Sequence, residues 1–315
     1  MQAANVLKRS LAFRQDQTFK IVQFTDVHWQ TGEEADQRSR ALMDRILDEE
    51  KPDLVVFTGD LIQCGRCKDQ VEAFLQAIEP TEERGIPWTF VFGNHDAEWG
   101  VTHEELMQLQ LSRPLCLSQE GPETVSGTGN YALKIYNHER TDVQALMYFF
   151  DSHQYAPEGY GKYAWIKRDQ IQWYAERSAA FTASHGRPLP ALAFFHIPLP
   201  EYLDVREQGV TYGQMKEDVH SPVINSGLFQ AFVESGDVMG TFAGHDHVND
   251  FWGQWYGVKL CYGRVTGYNT YPRQGGARGA RVIRLTANEH DFETWIRQDD
   301  GAKLTGELHD PKRVQ

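Results

Sequence analysis

Short apolar runs that end in polar residues recur along the first third of the chain. Three of them have the length and the aromatic or β-branched content of buried strands: residues 19–24, 54–57 and 88–92. Between them, residues 38–50 and 71–78 carry apolar side chains at helical spacing. The first helix should end before Pro52, since the residue before a proline disfavours helix. This alternation predicts an open α/β sheet, which binds its ligands beyond the carboxyl ends of its strands.

The rest of the chain follows the same pattern more loosely. Apolar segments predict six further strands, at residues 131–136, 143–150, 192–195, 238–243, 258–262 and 281–285. Residues 167–181 are predicted to form a helix, and the segment 263–279, rich in glycine, tyrosine and arginine, a loop near the site. We interpret residues 1–315 as a single domain with a core at about 18–298 and a polar tail after Asp299 that we expect to fray.

Bulk composition narrows the function classes. The chain has 315 residues, of which 41% are hydrophobic, and its formal net charge of −13 argues against a protein that binds long nucleic acids. A small anionic substrate stays compatible, because bound cations dominate the local field of a site. No apolar stretch approaches the about 20 residues of a membrane helix, and four cysteines are too few for a disulfide framework. With no evident secretory signal, we expect a cytoplasmic enzyme with reduced thiols and no membrane partner.

Metal-binding residue types follow the strand-like runs in five short motifs. The candidate ligands are Asp26, His28, Asp60, Asn94, His196, His245 and His247. Asp26 and His28 are two positions apart, so on an extended segment both side chains point the same way and can reach one ion. The carboxylate of Asp60 can bridge two cations. A mixed set of carboxylates and imidazoles suits Mn, Fe or Zn rather than Ca²⁺, which prefers oxygen ligands, so the motifs predict a centre of two metal ions.

Two adjacent cations favour hydrolysis at phosphorus. Held about 3.5–4 Å apart, they lower the pKa of a bound water so that a metal-activated hydroxide can attack, and they neutralise the phosphoryl oxygens. His95 lies beside Asn94 and is the candidate that protonates the leaving group, with Asp96 orienting its ring. In the alternative interpretation, His95 hydrogen-bonds the phosphate and a metal stabilises the leaving group.

The five motifs resemble those of the calcineurin-like metallophosphoesterases, at residues 26–28, 59–60, 93–96, 196 and 244–247. The resemblance implies an α/β fold, a four-layer α/β/β/α sandwich in which two mixed sheets are flanked by helices. It implies that one metal is held by Asp26, His28, Asp60 and His247. The other would be held by Asp60, Asn94, His196 and His245. His95 would contact the substrate and assist departure of the leaving group.

Nearly the whole chain is also similar to a narrower branch, the purple-acid-phosphatase-like proteins of plants and fungi. The strings that carry the similarity are residues 86–88, 194–201, 244–251, 261–263 and 267–268. True purple acid phosphatases have glycine where this chain has His28, and a tyrosine ligand where it has Gln63. The resemblance therefore implies that a histidine replaces the tyrosine and that no tyrosinate-to-iron colour arises. Some members of the branch are named inactive, but no ligand is missing here, and we expect activity.

Four further residues are candidate substrate contacts: His153, Arg264, Tyr268 and Arg273. The arginines could fork onto a phosphate, and the tyrosine could stack on a base or an aryl group. In the alternative interpretation, Arg264, Tyr268 and Arg273 lie on a solvated loop without a substrate role. For His153, the alternative is a position on a loop beside the cleft.

Three classes of function fit these residues. The leading interpretation is a dimetal-dependent phosphohydrolase acting on a small phosphodiester, a phosphomonoester or a phosphorylated protein. The second is a non-catalytic metal-binding scaffold of the same fold. The third is a redox-regulated sensor, because Cys64 and Cys67 form a Cys-x-x-Cys turn close after Asp60, although two unpaired loop thiols explain the same motif.

Overall fold

The computed structural model describes residues 10–271 and 277–310. Within them, the strands are β1 (Leu11–Ala12), β2 (Thr18–Phe24), β3 (Leu54–Thr58), β4 (Trp88–Val91), β5 (Tyr131–Tyr136), β6 (Val143–Phe149), β7 (Ala191–Phe194), β8 (Thr211–Tyr212), β9 (Val238–Ala243), β10 (Trp252–Trp255), β11 (Val258–Tyr262), β12 (Gly279–Thr286), β13 (Phe292–Gln298), β14 (Lys303–Leu304) and β15 (Leu308–His309). The α-helices are α1 (Glu34–Glu50), α2 (Gln70–Glu83), α3 (His103–Leu111), α4 (Arg168–His185), α5 (Glu201–Gln208) and α6 (Leu228–Ser235).

The strands form two mixed sheets that pack face to face. One has the order β1-β5-β6-β7-β9-β11-β10-β8-β15, and the other the order β14-β13-β12-β2-β3-β4. Because successive side chains of a strand point to opposite faces, Ile21 and Phe194 lie in the core between the sheets. Their neighbours Val22 and Ala193 lie in the outer cores, where α1 and α2 cover one sheet and α4 and α6 cover the other. The expected four-layer α/β/β/α sandwich is confirmed.

Parallel pairing brings the ends of the motif-bearing strands together. Strand β2 runs parallel to β3 with Phe24 opposite Phe57, and β3 runs parallel to β4. In the other sheet, β7 runs parallel to β9 with Phe194 opposite Phe242. The loops that follow these strands therefore leave from neighbouring points at one edge of each sheet.

Buried hydrogen bonds lock those two edges to each other. The side-chain nitrogen of Gln23, at the end of β2, donates to Thr58 Oγ1 at 2.8 Å and to the carbonyl oxygen of Ala243 at 3.1 Å. His196 Nδ1 donates to the carbonyl oxygen of Thr58 at 2.8 Å. The carboxyl ends of β2 and β3 in one sheet thus meet those of β7 and β9 in the other.

The strands predicted from the sequence are all present, each within about two residues of the expected bounds. Helix α1 begins at Glu34 rather than at residue 38, because the carboxylate of Asp36 accepts from the four backbone amides of residues 30–33 and so orders the turn before the helix. Helix α2 runs to Glu83, through Pro80, and is longer than expected. Helices α3, α5 and α6 were not anticipated. The tail after Asp299 was expected to fray. In its described part, up to residue 310, β14 and β15 add an edge strand to each sheet, and residues 311–315 lie outside the described residues.

The last residue of α1 fastens that helix to the six-stranded sheet. The carboxylate of Glu50, of which 3% is exposed, accepts from Trp295 Nε1 at 3.0 Å, from Arg297 Nε at 2.7 Å and from Lys20 Nζ at 3.1 Å. Burial alone would raise the pKa of Glu50, but these three donors outweigh it and lower the pKa below its usual value. Helix α1 then ends at Lys51, which adopts a left-handed conformation just before Pro52.

None of the helices within residues 10–271 and 277–310 combines the length and the apolar character that crossing a membrane requires.

Candidate metal centre

The backbone that carries the first motif is left-handed rather than extended. Asp26 has a φ of 53° and His28 a φ of 49°, so the expectation that both lie on an extended segment is wrong. Asp60 and His245 are left-handed as well, with φ values of 51° and 77°. Non-glycine residues persist in this region only where surrounding contacts over-determine them. Here the amide of Asp26 donates to Gly59 O at 3.1 Å, and that of His28 to Asp60 O at 2.9 Å.

One group of candidate ligands brings together Asp26, His28, Asp60 and His247, all buried, with ligand atoms within 4.8 Å of one another. His247 Nε2 lies 3.3 Å from Asp26 Oδ1 and 3.3 Å from His28 Nε2. His28 Nε2 is also 3.6 Å from Asp60 Oδ2. Two imidazole nitrogens facing each other beside two carboxylates suit a shared cation.

A second group consists of Asp60, His196 and His245. Asp60 Oδ2 lies 3.2 Å from His196 Nε2, which is 3.2 Å from His245 Nδ1. Asp60 belongs to both groups, so its carboxylate is placed to bridge two ions. Six of the seven residues expected to be ligands thus lie in two groups that share Asp60. Asn94, the seventh, belongs to neither group.

The side chain of Asn94 provides the test of whether two cations fit. Its Oδ1 atom is buried and accepts no hydrogen bond from any described residue. Burying an amide carbonyl without a partner costs about 1–3 kcal/mol, which a bound cation would offset. Together with the shared carboxylate of Asp60, this unpartnered oxygen shows that the residues present fit two metal ions, without naming the metals.

Hydrogen bonds to the outer ring nitrogens set the tautomers of two histidines. His196 donates through Nδ1 to Thr58 O, and His28 donates through Nδ1 to Gln63 Oε1 at 2.7 Å. Both rings therefore turn Nε2 towards the carboxylates, as metal-binding histidines do. Gln63 is the residue that stands where purple acid phosphatases have their tyrosine ligand, and it contacts the histidine expected to replace that tyrosine.

Burial and charge set the protonation of the site. Burial lowers the pKa of His28 to about 4, and it lowers that of His245 as well. Burial would raise the pKa of Asp26, but hydrogen bonding and charge from His247 lower it to about 2. His196 differs, since the charge of Asp60 outweighs burial and raises its pKa to about 10. A cation would have to replace that proton, so binding should release it.

His95 and Asp96 are placed differently from each other. The amide of His95 donates to Asp60 Oδ1 at 2.8 Å, and its ring Nδ1 lies 2.7 Å from Glu98 Oε2. The carboxylate of Asp96 instead accepts from the backbone amides of Gly93 at 2.7 Å, Asp60 at 2.9 Å and Ile62 at 3.1 Å. The expectation that Asp96 orients the His95 ring is therefore wrong, because Asp96 is turned inward and holds two loops together.

Burial and the nearby charge of Asp60 raise the pKa of Asp96 to about 7, despite those backbone donors. The carboxylate that contacts the ring of His95 is instead that of Glu98, a residue outside the five motifs. The sequence signal that could have indicated Glu98 is its position three residues after His95.

The residues predicted to contact the substrate lie in different surroundings in the structure. Arg264 is fully buried and paired with Asp250, which removes it from any surface that a substrate could reach, so that expectation is wrong. Tyr268 donates its hydroxyl to Asp299, and its ring lies 3.9 Å from the Arg38 guanidinium, on the side of α1.

His153 has its ring Nε2 2.9 Å from Gln170 Oε1, so that nitrogen is engaged within the protein. Arg273 lies outside the described residues. Neither these contacts nor those of Tyr268 assign a substrate role.

Other aromatic side chains border the metal-ligand groups. Tyr271 stacks on His247 with ring centroids 4.4 Å apart, and Tyr163 meets His245 edge-on at 4.4 Å. The hydroxyl of Tyr155 accepts from Asn94 Nδ2 at 3.3 Å. Tyr155 and Tyr163 carry no motif in the sequence, and spatial proximity alone identifies them.

A third group of metal-binding residue types, Glu217, His220 and Asp246, lies next to His245 and His247. Asp246 accepts from His220 Nδ1 at 2.7 Å and from the Tyr262 hydroxyl at 2.5 Å. Glu217 accepts from the amide of Val248 at 2.5 Å and from the Tyr271 hydroxyl at 2.6 Å. Every carboxylate oxygen of this group has a donor, so it needs no ion.

The two neighbouring thiols are free and are held by backbone groups. Cys64 Sγ contacts the backbone of Trp99, and Cys67 Sγ donates to Trp29 O at 3.4 Å. Burial raises the pKa of both thiols, that of Cys67 to about 12. Protonated thiols react slowly, which favours the interpretation of two loop cysteines over a redox pair.

Comparison with known proteins places this site in a family. The profile of the family described as calcineurin-like phosphoesterase matches residues 19–249. The chain belongs to this family. It is 34% identical, over 94% of its length and 86% of the relative, to the Arabidopsis thaliana protein named "Probable inactive purple acid phosphatase 29". The similarity to the purple-acid-phosphatase-like branch is therefore confirmed.

Two further comparisons bear on fold and activity. The chain is 35% identical to the protein named "Phosphatase DCR2" of Saccharomyces cerevisiae, over 90% of this chain and 54% of that protein. A solved structure of a dimetal phosphatase from Danio rerio has a TM-score of 0.61 and 13% identity, and it covers 92% of this chain and 98% of that one. The structural likeness shows the fold alone.

Proposed function

We propose that this calcineurin-like phosphoesterase is an active dimetal-dependent phosphohydrolase that cleaves phosphodiester or phosphomonoester bonds. The observation that carries the proposal is the pair of ligand groups joined by Asp60. The buried, unpartnered Oδ1 atom of Asn94 supports it. We take Mn, Fe and Zn as the candidate metals, because the ligands mix carboxylates, an amide and imidazoles.

The chain's own residues supply distinct parts of the chemistry. When bound, two cations would provide a hydroxide near neutral pH and neutralise charge on the phosphoryl oxygens. Asp60 would hold both ions through its carboxylate. The Oδ1 atom of Asp60 also accepts a hydrogen bond from the backbone amide of His95 at 2.8 Å. The ring of His95, with 31% of the side chain exposed, is accessible to a substrate and would protonate the leaving oxygen.

The names of the relatives disagree about activity. The plant relative is named as inactive and the yeast relative as a phosphatase. In this chain, all seven candidate ligand residues are present and six of them form the two groups that share Asp60, which favours catalysis over a metal-binding scaffold. A phosphorylated protein stays an alternative substrate, and the aromatic rings of Tyr155 and Tyr271 favour a small substrate with an aryl group or base. The cytoplasmic location stays a prediction, in keeping with four free cysteines.

Hydrolysis assays with defined metals test the proposal. Purified protein is loaded with Mn²⁺, Zn²⁺ or Fe²⁺ in turn and offered an aryl phosphate monoester and a bis-aryl phosphodiester. We expect turnover of at least one ester with at least one metal, and its near-complete loss in Asp60→Asn and His196→Ala. Asp218→Asn and His290→Ala, at exposed positions, are the matched controls and should keep wild-type rates. Tight metal binding without turnover of any ester would instead support the scaffold.

A further inference from the structure

A closed path of hydrogen bonds links a candidate metal ligand to the histidine beside it. Asn94 Nδ2 donates to the Tyr155 hydroxyl at 3.3 Å, and that hydroxyl donates to Glu98 Oε1 at 2.5 Å. The other carboxylate oxygen of Glu98 lies 2.7 Å from His95 Nδ1. The path joins Asn94 and His95, which are adjacent in the chain, through two side chains that no sequence motif contains.

Competing contacts decide which nitrogen of the His95 ring carries the proton. Nδ1 has two polar neighbours, Glu98 Oε2 at 2.7 Å and Gln63 Nε2 at 3.4 Å. A carboxylate only accepts, whereas the amide nitrogen only donates, so the two neighbours demand opposite tautomers. The contact with Glu98 is shorter and charge-assisted and therefore prevails. His95 thus keeps its proton on Nδ1 towards Glu98, and Nε2 is the nitrogen left for a substrate.

We propose that Glu98 and Tyr155 are positioning residues that hold the His95 ring for protonation of the leaving group. This inference rests on the proposed phosphohydrolase activity and deepens it. Glu98 sets the tautomer and the angle of the His95 ring. The Tyr155 hydroxyl holds the Glu98 carboxylate and links it to the side chain of Asn94.

The kinetic test compares substrates that differ in their need for a proton. p-Nitrophenolate is a stable anion that leaves without protonation, whereas phenolate needs more help. We expect Glu98→Ala to lower kcat for phenyl phosphate by about 10²-fold, the scale of a misplaced catalytic group, and to lower that for p-nitrophenyl phosphate far less. Tyr155→Phe should cost about threefold to tenfold on phenyl phosphate, because it removes one hydrogen-bonding hydroxyl. Glu98→Gln keeps an acceptor oxygen and should recover part of the loss.

Two measurements on the same variants separate positioning from a structural role. Metal affinity, measured by chelator competition, should stay within about threefold of wild type in Glu98→Ala, and the controls Glu139→Ala and Tyr256→Phe, at exposed positions, should change nothing. Equal losses on both phenyl substrates, no loss on either, or a collapse of metal affinity would overturn the inference.

Nitrogen NMR of the His95 ring tests the inference even if no ester is hydrolysed. In the zinc-loaded protein, with the signal assigned by its loss in His95→Asn, we expect an Nδ1–H ring that changes its tautomer distribution in Glu98→Ala. An unchanged ring signal in that variant would refute the positioning role. Absence of wild-type turnover with the expected NMR result would refute the proposed function and leave the geometry of the ring established.

Discussion

Replacing Gln63 by leucine should weaken metal binding through a residue that is not itself a ligand. Gln63 Oε1 accepts the Nδ1 proton of His28 at 2.7 Å, which leaves His28 Nε2 free for an ion. In the leucine variant, the metal-bound ring would keep a buried Nδ1–H without an acceptor. The metal-free ring can escape this penalty by moving its proton to Nε2. The free-energy cost of the unpaired Nδ1–H group therefore falls mainly on the metal-bound state, and it lowers the affinity for the metal.

The magnitude follows from that unpaired group. An unsatisfied buried donor costs about 1–3 kcal/mol. At about 1.4 kcal/mol for each factor of ten, affinity should fall by roughly fivefold to 150-fold. This range overlaps the loss of about 10- to 100-fold that is typical when a partner of a metal-binding histidine is removed. The side chain of His28 is 3% exposed, so water has little access to replace the missing acceptor.

Chelator competition with Zn²⁺ or Mn²⁺ measures this effect directly, and thermal unfolding checks that the variant is folded. Gln63→Glu is the matched comparison, because a carboxylate oxygen can accept the same proton, and its affinity should equal or exceed that of wild type. The reasoning would be refuted if Gln63→Leu bound metal within twofold of wild type. It would also be refuted if leucine and glutamate weakened binding equally, since loss of the acceptor would then not be the cause.

Three further outcomes are expected. Glu50→Gln should destabilise the protein by about 2–3 kcal/mol at pH 7. Because folding lowers the pKa of Glu50, this stabilisation is present above the unfolded value of 4.5 and is lost as pH falls through the folded pKa, so denaturation curves of the two proteins should converge in acid. Gly267→Ala places a methyl group 1.8 Å from a backbone carbonyl oxygen of the first ligand loop. It should lower the free energy of unfolding by about 1–3 kcal/mol or more and weaken metal binding as well. The control is Gly65→Ala, whose methyl group meets nothing within 4 Å and should change neither property. Alkylation of Cys64 and Cys67 at pH 8 should be slow in the folded protein, and turnover should be equal with and without reductant, since their thiols are protonated.

Local pattern was enough to predict nine of the fifteen strands given above and to single out the candidate ligands, but not strands such as β13. Apolar runs of strand length preceded the motifs, and parallel strands necessarily bring their carboxyl ends to one edge. The residue types in the motifs were sufficient to indicate metal chemistry, since few other roles need carboxylates and imidazoles at such spacing. The substitution of Gln63 for a tyrosine ligand was also visible in the sequence.

Contacts between distant segments decided the rest. The amide of His245 donates to the carboxylate of Asp26 at 3.1 Å across 219 positions of the chain, and such contacts sustain the left-handed backbone that no local pattern indicates. Asp96 and Glu98 both lie close to His95 in sequence. Yet the carboxylate of Asp96 accepts hydrogen bonds from backbone amides of two loops, and it is the carboxylate of Glu98 that contacts the His95 ring. The order of residues along the chain sets which groups are available, but the direction in which each side chain points depends on partners that only folding brings near.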